Sequence, residues 1–385
     1  MTGRTKWTSR FFILTALTVV LAATAFSQSA DSRPGTMIAG TSQHISMLLS
    51  DGRVLVTGGD RGNGGDDTVQ VYDPKTNIWS LVGHLPTPVF VHAAQELKDG
   101  RIYVAGGFNR DKKFLDEAWI FDLEQHQAVA APRLTEARDN ERFAMLRDGR
   151  IFMLGGDSNE NGYIKTSEYF DPVAMKNTRG PDFPIGRSMG TATRLNDGTV
   201  LVVGGIATED GKLQYLDAAY VMDPETNTLQ AVGRLATARK QDTATLLKNG
   251  KVLVIGGVKD DMPLKTIEVY DPETRKFTPG GELLTARYGH TATLLDSGKV
   301  LVTGGMGRDD AGNAVFESAA ELYDPKTGKT EALPPMHFPR VLHSAVKMQN
   351  GNVLMIGGYY RDPQTGTYVY PDKTEIFSAG DMTFR

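Results

Sequence analysis

Two columns of ionisable residues recur along this 385-residue chain. One is basic: Arg138, Arg187, Arg239, Arg287 and Arg340. The other, three residues further on, reads His44, His92, Glu141, Gly190, Asp242, His290 and His343. Five guanidinium groups around one mouth would make a carboxylate or anion site, since each offers a planar fork of donors. Converging imidazoles would make a metal site. The sequence contains its own test of the first idea. Glu168, Glu268, Glu321 and Glu375 each fall some thirty residues after an arginine, and Gln70, Trp119 and Tyr220 hold the equivalent positions elsewhere. Arginine and glutamate are both present or both absent in six repeats of seven, whereas pairing each glutamate with the following repeat's arginine agrees in only four. The arginines are therefore expected to be structural ion pairs, because a charge held near a core is normally paired. Arg187 is the exception: its repeat supplies Tyr220, leaving Arg187 as the candidate ligand-facing cation, with Asp217 as an alternative partner and Asn140, Lys240 and Tyr288 beside it. Metal binding is not expected of the histidine column. Equivalent residues of packed sheets lie about 10 Å apart, while ligand nitrogens must all sit about 2.1 Å from the ion. Each histidine should instead bond to the backbone of a neighbouring sheet.

The elements that position these columns follow from seven glycine pairs: Gly58-Gly59, Gly106-Gly107, Gly155-Gly156, Gly204-Gly205, Gly256-Gly257, Gly304-Gly305 and Gly357-Gly358. Before each pair stand two short apolar runs joined by Asp/Asn/Ser-Gly, such as Asp51-Gly52 or Asn249-Gly250, which reads as a β-hairpin with a two-residue turn needing positive φ. After each pair come a polar loop, a third strand ending in an aromatic and usually Asp-Pro (Tyr72-Asp73-Pro74, Phe170-Asp171-Pro172, Tyr270-Asp271-Pro272, Tyr323-Asp324-Pro325), and a fourth strand returning from that type I turn. Seven residues beyond the aromatic lies an outer anchor: Trp79, Leu229, Phe277 and Phe384, but Ala128, Asn177 and Thr330 in three repeats, where the outer strand should be weaker. A four-stranded antiparallel sheet repeated seven times closes into an all-β, seven-bladed β-propeller. No strand remains for the termini to share, so closure should rest on blade seven packing against blade one.

The N-terminal segment carries Arg4, Lys6 and Arg10, an apolar run from Phe11 to Phe26, and small residues around Ala25 and Ser27. That order is a secretory signal peptide, expected over residues 1–27, followed by a linker at 28–36 and the propeller at 37–385. Export, periplasmic or extracellular, follows. With no cysteine there are no disulfides, and stability must come from packing. Removing the signal takes the formal charge from -4 to -7, with 39 basic against 46 acidic residues. Mild acidity without a basic block argues against nucleic acid or a membrane as partner.

The loops after the glycine pairs share a face with the start of the first strand, whereas the opposite face carries short stereotyped turns. Those loops are the candidate binding surface: residues 60–67, residues 157–163 and, longest, Tyr359 to Lys373 with Tyr359, Tyr360, Tyr368 and Tyr370. Exposed aromatic faces can stack on sugars or anchor a protein; the alternative is cross-strand packing within their own hairpin. The loop acids lack calcium-loop spacing, and no nucleophile elbow, phosphate loop or zinc spacing is present.

The glycine doublet, the aromatic-Asp-Pro turn and the Arg-x-x-His opening together resemble the Kelch repeat, as in bacterial secreted propellers related to the central domain of galactose oxidase. The resemblance covers residues 37 to 385 and departs in having one outer tryptophan, Trp79. Copper-radical oxidation of the galactose oxidase type is not implied, because it depends on a tyrosine cross-linked to cysteine. The expectation is an exported, monomeric, non-catalytic binding module with no cofactor, taking a protein or carbohydrate at the loop face through Tyr359 and Tyr360. The resemblance also implies a rival, a small sugar-isomerising or mutarotating enzyme with Arg187, Asn140, Lys240 and Tyr288 at the channel mouth.

Overall fold

Seven antiparallel sheets stand around an axis in the computed structural model, which describes residues 32–111, 113–158 and 162–385. The expected signal peptide lies outside the described residues. Each blade has strands A to D from the axis outward. In blade three these are Arg142–Met145, Ile151–Leu154, Ser167–Asp171 and Lys176–Arg179. Strand B is buried along its whole length in every blade, so its apolar residues face neighbours on both sides. The core is accordingly divided among seven clusters, one at each seam; that between blades seven and one holds Val54, Val56, Tyr72, Trp79, Met348 and Leu354. The aromatic and anchor columns meet as cross-strand partners, Tyr72 opposite Trp79 and Tyr270 opposite Phe277. Strand D has four or five residues where the anchor is Ala128, Asn177 or Thr330, and seven or twelve where it is Leu229, Phe277 or Trp79, but only two at Phe384, so a large anchor does not by itself set its length.

The A–B connection is longer than the two-residue turn expected. Leu49 N–H donates to the Arg53 carbonyl and Gly52 N–H to the Leu49 carbonyl, which makes a three-residue loop with Gly52 left-handed at φ 91°. The reason is Asp51, whose carboxylate accepts the Arg53 N–H at 2.9 Å and fixes the extra residue. The Asp-Pro turn also gains a residue: Asn77, at φ 59°, donates its N–H to the Asp73 carbonyl.

Both glycines of a pair are dictated by the seams. A Cβ on Gly58 would lie 2.5 Å from the Val89 carbonyl oxygen and 2.8 Å from the His92 ring, both in the next blade. A Cβ on Gly59 would meet Thr41 and Ser42 of its own blade at 2.0 and 2.7 Å. That closeness lets the second glycine's N–H reach across the seam. Gly59 donates to Val89, Gly107 to Arg138, Gly156 to Arg187, Gly205 to Arg239, Gly257 to Arg287, Gly305 to Arg340 and Gly358 to Thr41, at 2.7 to 2.9 Å. The last of these closes the circle.

Nearer the axis a second ring lies at the loop-face end of the A strands. Val91 N–H donates to Gln43, Asn140 to Val91, Gln241 to Met189, Gly289 to Gln241, Leu342 to Gly289 and Gln43 to Leu342. All seven residues of this collar have φ between 49° and 60°, although only Gly289 is glycine. Between Asn140 and Met189 the side chain of Arg142 intervenes, donating to the carbonyls of Asn140 and Gly190.

Closure does not rest on blade packing alone. Residues read as a linker form a strap: Ser32–Pro34 adds a fifth strand to blade one, pairing with Ile78–Ser80, and Thr36 then bridges to Lys373 of blade seven. Met37 N–H bonds to the Asp372 carbonyl, and its side chain is fully buried in the cluster between blades one and seven. Met37→Ala should therefore cost about 2–5 kcal/mol, the usual penalty for emptying a packed core site; urea denaturation with unchanged far-UV circular dichroism is the check, and an unshifted midpoint would mean the strap contributes nothing to closure.

Candidate functional site

The arginine column turns inward to its own blades. Arg138, Arg239 and Arg340 reach Glu168, Glu268 and Glu375 at 3.4, 2.6 and 3.1 Å, and Arg287 pairs with Glu321. All four guanidinium groups are fully buried. Each also donates to the carbonyl of the first glycine of its blade's pair, Gly155, Gly256, Gly304 or Gly357. Each glutamate in turn accepts backbone N–H groups just before the arginine, from Thr135, Ala236, Leu284 or His337. In blade one, which lacks the arginine, Thr41 Oγ1 donates to the Gly58 carbonyl and Gln70 bonds to Ile38 and Ala39.

Arg187 is only 3% exposed. Its guanidinium carbon stands 5.1 Å from the centre of the Phe183 ring and 4.8 Å from that of Tyr220, an arrangement in which two π faces replace the carboxylate. Burial lowers its pKa to about 10. Among the described residues Nε and Nη2 make no regular hydrogen bond, Tyr220 being the polar group that favours the charge, and Nη1 reaches the Gly204 carbonyl at 3.5 Å. Asp217 is taken by Arg234. The sequence signal for this exchange is Pro184, which stands where the other blades supply an N–H to glutamate; donor and acceptor are missing together.

The histidines bond to side chains of the preceding blade, not to its backbone as expected. His92 Nε2 meets Thr57 Oγ1 at 2.9 Å, His290 meets Thr243 at 3.2 Å, His343 meets Thr291 at 3.2 Å and His44 meets Ser344 Oγ at 2.7 Å. The reason is spatial: each ring rests on the first glycine of the preceding blade, as His44 does on Gly357, and the nearest acceptors or donors there are hydroxyls. Burial lowers the pKa of His44 to about 4 and those of His92 and His290 to about 3. Glu141 and Asp242 occupy the same column at the seams facing Gly106 and Gly204. Among the described residues no side chain bonds to their buried carboxylate oxygens, and desolvation raises Glu141 to about 8 and Asp242 to about 7 against their own backbone N–H groups and the opposing charges of Arg138 and Arg239.

At the mouth itself, the residue after each arginine-column position bridges to the residue after the glycine pair: Ser42 to Asp60, Phe90 to Phe108, Asp139 to Asp157, Ser188 to Ile206, Lys240 to Val258, Tyr288 to Met306 and Val341 to Tyr359. Blade three thus brings two carboxylates together. Asn140 Nδ2 donates to Asp139 at 3.2 Å and to Asp157 at 3.4 Å, and Ser188 Oγ donates to Asp157 at 2.8 Å. Burial, with the partner's charge added for Asp139, raises the pKa of both. The matching of the two columns was visible in the sequence and would have found this pair. Lys240 lies over the Tyr215 ring, 5.6 Å from its centre, and the Tyr288 hydroxyl faces the Met306 sulfur. Beneath Asn140, Met189 and Arg142 the cavity is about 10 Å³, room for about one water.

Blades two to seven extend their loops as two-stranded hairpins above the sheets. Tyr359 is the centre of a ring cluster, 5.8 Å from Phe316, 5.8 Å from Tyr368 and 5.9 Å from Tyr370. Tyr360 pairs with Val369 across the blade-seven hairpin. Tyr368 stays 60% exposed, and Leu213 and Met262 are exposed on the hairpins of blades four and five. Phe316, Leu213 and Met262 drew no attention in the sequence, because only the blade-seven loop is rich in aromatics.

Comparison with known proteins agrees with this geometry. A model of the KLHDC2/KLHL20/DRC7 Kelch-repeats domain matches residues 42–232, and one of the Kelch motif matches 242–284. The protein is a Kelch-repeat propeller. Human Kelch-like protein 33 is 32% identical over 90 residues, which is 23% of this chain and 17% of that protein. A solved structure described as a novel fungal alcohol oxidase of the AA5 family in complex with copper superposes with a TM-score of 0.66 at 17% identity, covering 89% of this chain and 76% of that one. At that identity the likeness concerns the fold alone.

Two outcomes follow for the propeller's buried charges. Arg239→Met strands Glu268 and should cost about 3–5 kcal/mol, whereas Arg187→Met removes a cation with no carboxylate to strand and should leave stability nearly unchanged; equal losses on guanidinium denaturation would refute the contrast. Glu141 is easier to protonate folded than unfolded, so the stability it allows is present at low pH and is lost as pH climbs from about 4.5 to about 8. Glu141→Gln should therefore raise the melting temperature by several degrees at pH 8 and scarcely at pH 5, measured by calorimetry; a gain of the same size at both would show that ionisation is not the cause.

Proposed function

We propose that this Kelch propeller is an exported binding module that takes a protein partner on its loop face. The observation that carries the reading is the second storey of hairpins, from which Leu213, Met262 and Tyr368 project apolar surface to solvent at the ends of three blades. Isolated exposed apolar residues need no explanation, but three on the one face that varies from blade to blade fit a contact surface. The collar supports the same reading, since it rings the axis with hydrogen bonds and leaves only about 10 Å³ beside Asn140, Arg142 and Met189. Kelch domains in general serve as protein-binding modules.

With the chain lacking residues 1–27 as bait against the exported fraction, Leu213→Ser with Met262→Ser and Tyr368→Ala should abolish capture of the partner retained by the unaltered chain. Val173→Ser, on the opposite face and 93% exposed in the unaltered protein, should retain it. Capture that survives the loop changes, or fails with Val173→Ser, would overturn the assignment.

One observation favours a second reading, an acid–base catalyst acting on a small sugar. Asp139 and Asp157 meet at the mouth, share Asn140 as donor and are both held toward the protonated form, which is how adjacent carboxylates come to carry a proton at neutral pH. Such a catalyst should speed the interconversion of sugar anomers followed by polarimetry, and Asp157→Asn should remove the effect; no acceleration by the unaltered protein would dismiss this reading.

A further inference from the structure

The charge of the propeller is not spread over its surface. The seven loops between glycine pair and third strand (60–67, 108–117, 157–166, 206–217, 258–265, 306–317 and 359–373) contain 18 Asp and Glu against 11 Lys and Arg, an acidic excess of seven. The chain without residues 1–27 has 46 acids and 39 bases, also an excess of seven. The loops of the described blades five to seven hold seven of these acids against five bases.

Five of the eleven bases within those loops are engaged, Arg110 with the Gly62 carbonyl among them, whereas Lys259 and Lys373 on blades five and seven are exposed. Arg308 donates to the Asp261 carbonyl at 3.0 Å and to Gly312 at 2.6 Å, Arg361 to Gly366 at 2.9 Å, Arg61 pairs with Asp66 at 3.3 Å and Lys265 with Glu282 at 2.7 Å. The side chains of Asp260 and Asp261 on blade five and Asp310 on blade six are exposed. They are continuous with the aromatic cluster, because Arg308 links the loops of blades five and six and the Phe316–Tyr359 contact links those of six and seven. Carboxylates beside open ring faces have complementary uses for one kind of group. An ammonium or guanidinium is drawn by the acids over long range and held by the rings at short range. The fold already seats Lys240 on Tyr215 and Arg187 on Phe183 and Tyr220 in this way.

We infer that the loop face of blades five to seven binds a lysine- or arginine-rich segment of a partner protein, with Asp260, Asp261 and Asp310 attracting the charges and Tyr368 receiving a cationic side chain. The inference rests on the protein-binding reading of this face and supplies the partner's chemistry.

The test is fluorescence anisotropy with a labelled octalysine peptide, at low and at physiological ionic strength, on the chain without residues 1–27. Asp260→Asn, Asp261→Asn and Asp310→Asn combined should weaken binding about tenfold at low salt and flatten its salt dependence. Tyr368→Ala should weaken it at both salts, because stacking is not screened. The control is Glu124→Gln, Glu225→Gln and Glu273→Gln, an equal charge change on the turns of the opposite face, which should alter affinity less than twofold. Equal losses in the two triple variants would reduce the effect to net charge and overturn the inference, as would tighter binding of octaglutamate or of a neutral glucan than of octalysine. Partner capture that survives the aspartate changes but is lost with Tyr368→Ala would refute the cationic segment while leaving loop-face binding in place; capture indifferent to both would refute the two together.

Discussion

One hydrogen bond repeated around the ring governs this structure: the second glycine of each pair donates its N–H to the backbone carbonyl that opens the next blade. For that bond to form, two backbones must approach more closely than a β-carbon permits on either glycine, and both must take positive φ. The seam's apolar cluster then packs at a distance the bond has already set. Because the bond leaves from strand B and arrives at the entry to strand A, it also decides which residue of each blade faces its neighbour's first glycine, and so fixes the histidine and acid column between blades.

The buried arginines belong to the same frame. Each grips the carbonyl of the first glycine while its glutamate collects N–H groups from the segment leading into strand A, so the pair fastens the acceptor side of one seam bond and the donor side of the next. A guanidinium that satisfies a carboxylate and a carbonyl together recovers the cost of burial through geometry. Blade four reaches a comparable end with different chemistry. Phe183 and Tyr220 flank Arg187, and Pro184 removes the N–H that a glutamate would have served. Position Arg187 thus lies inside its blade, and what varies at the mouth are the residues beside it: Asp139 with Asp157, Lys240, Tyr288 and Tyr359.

Repetition made much of this readable in advance. The blade count, the aromatic-to-anchor pairing and the in-blade ion pairs could be read because seven copies expose which residues come and go together. Features without a mate in the other repeats could not. The strap of residues 32–37 occurs once, so alignment of repeats is blind to it, and its pairing with Ile78–Ser80 and Lys373 depends on the ring having closed. The histidine partners Thr57, Thr243 and Ser344 lie in a different blade, at an offset set by the seam and not by local spacing. The extra residue in the A–B turn was hidden because Asp-Gly suits both loop lengths, and the side chain of Asp51 decides between them.

The seams are alike in backbone and unlike in protonation. Four are lined by histidines that burial holds toward the neutral form, but those facing Gly106 and Gly204 hold Glu141 and Asp242, whose carboxyl groups burial drives toward the protonated form. Blades three and four lie between these two seams. As protons leave, the ring loses cohesion on either side of one pair of blades, and cooperativity around the circle becomes uneven. The pH cost of burial is thus not shared by seven equal sectors but falls on the two seams that flank blades three and four.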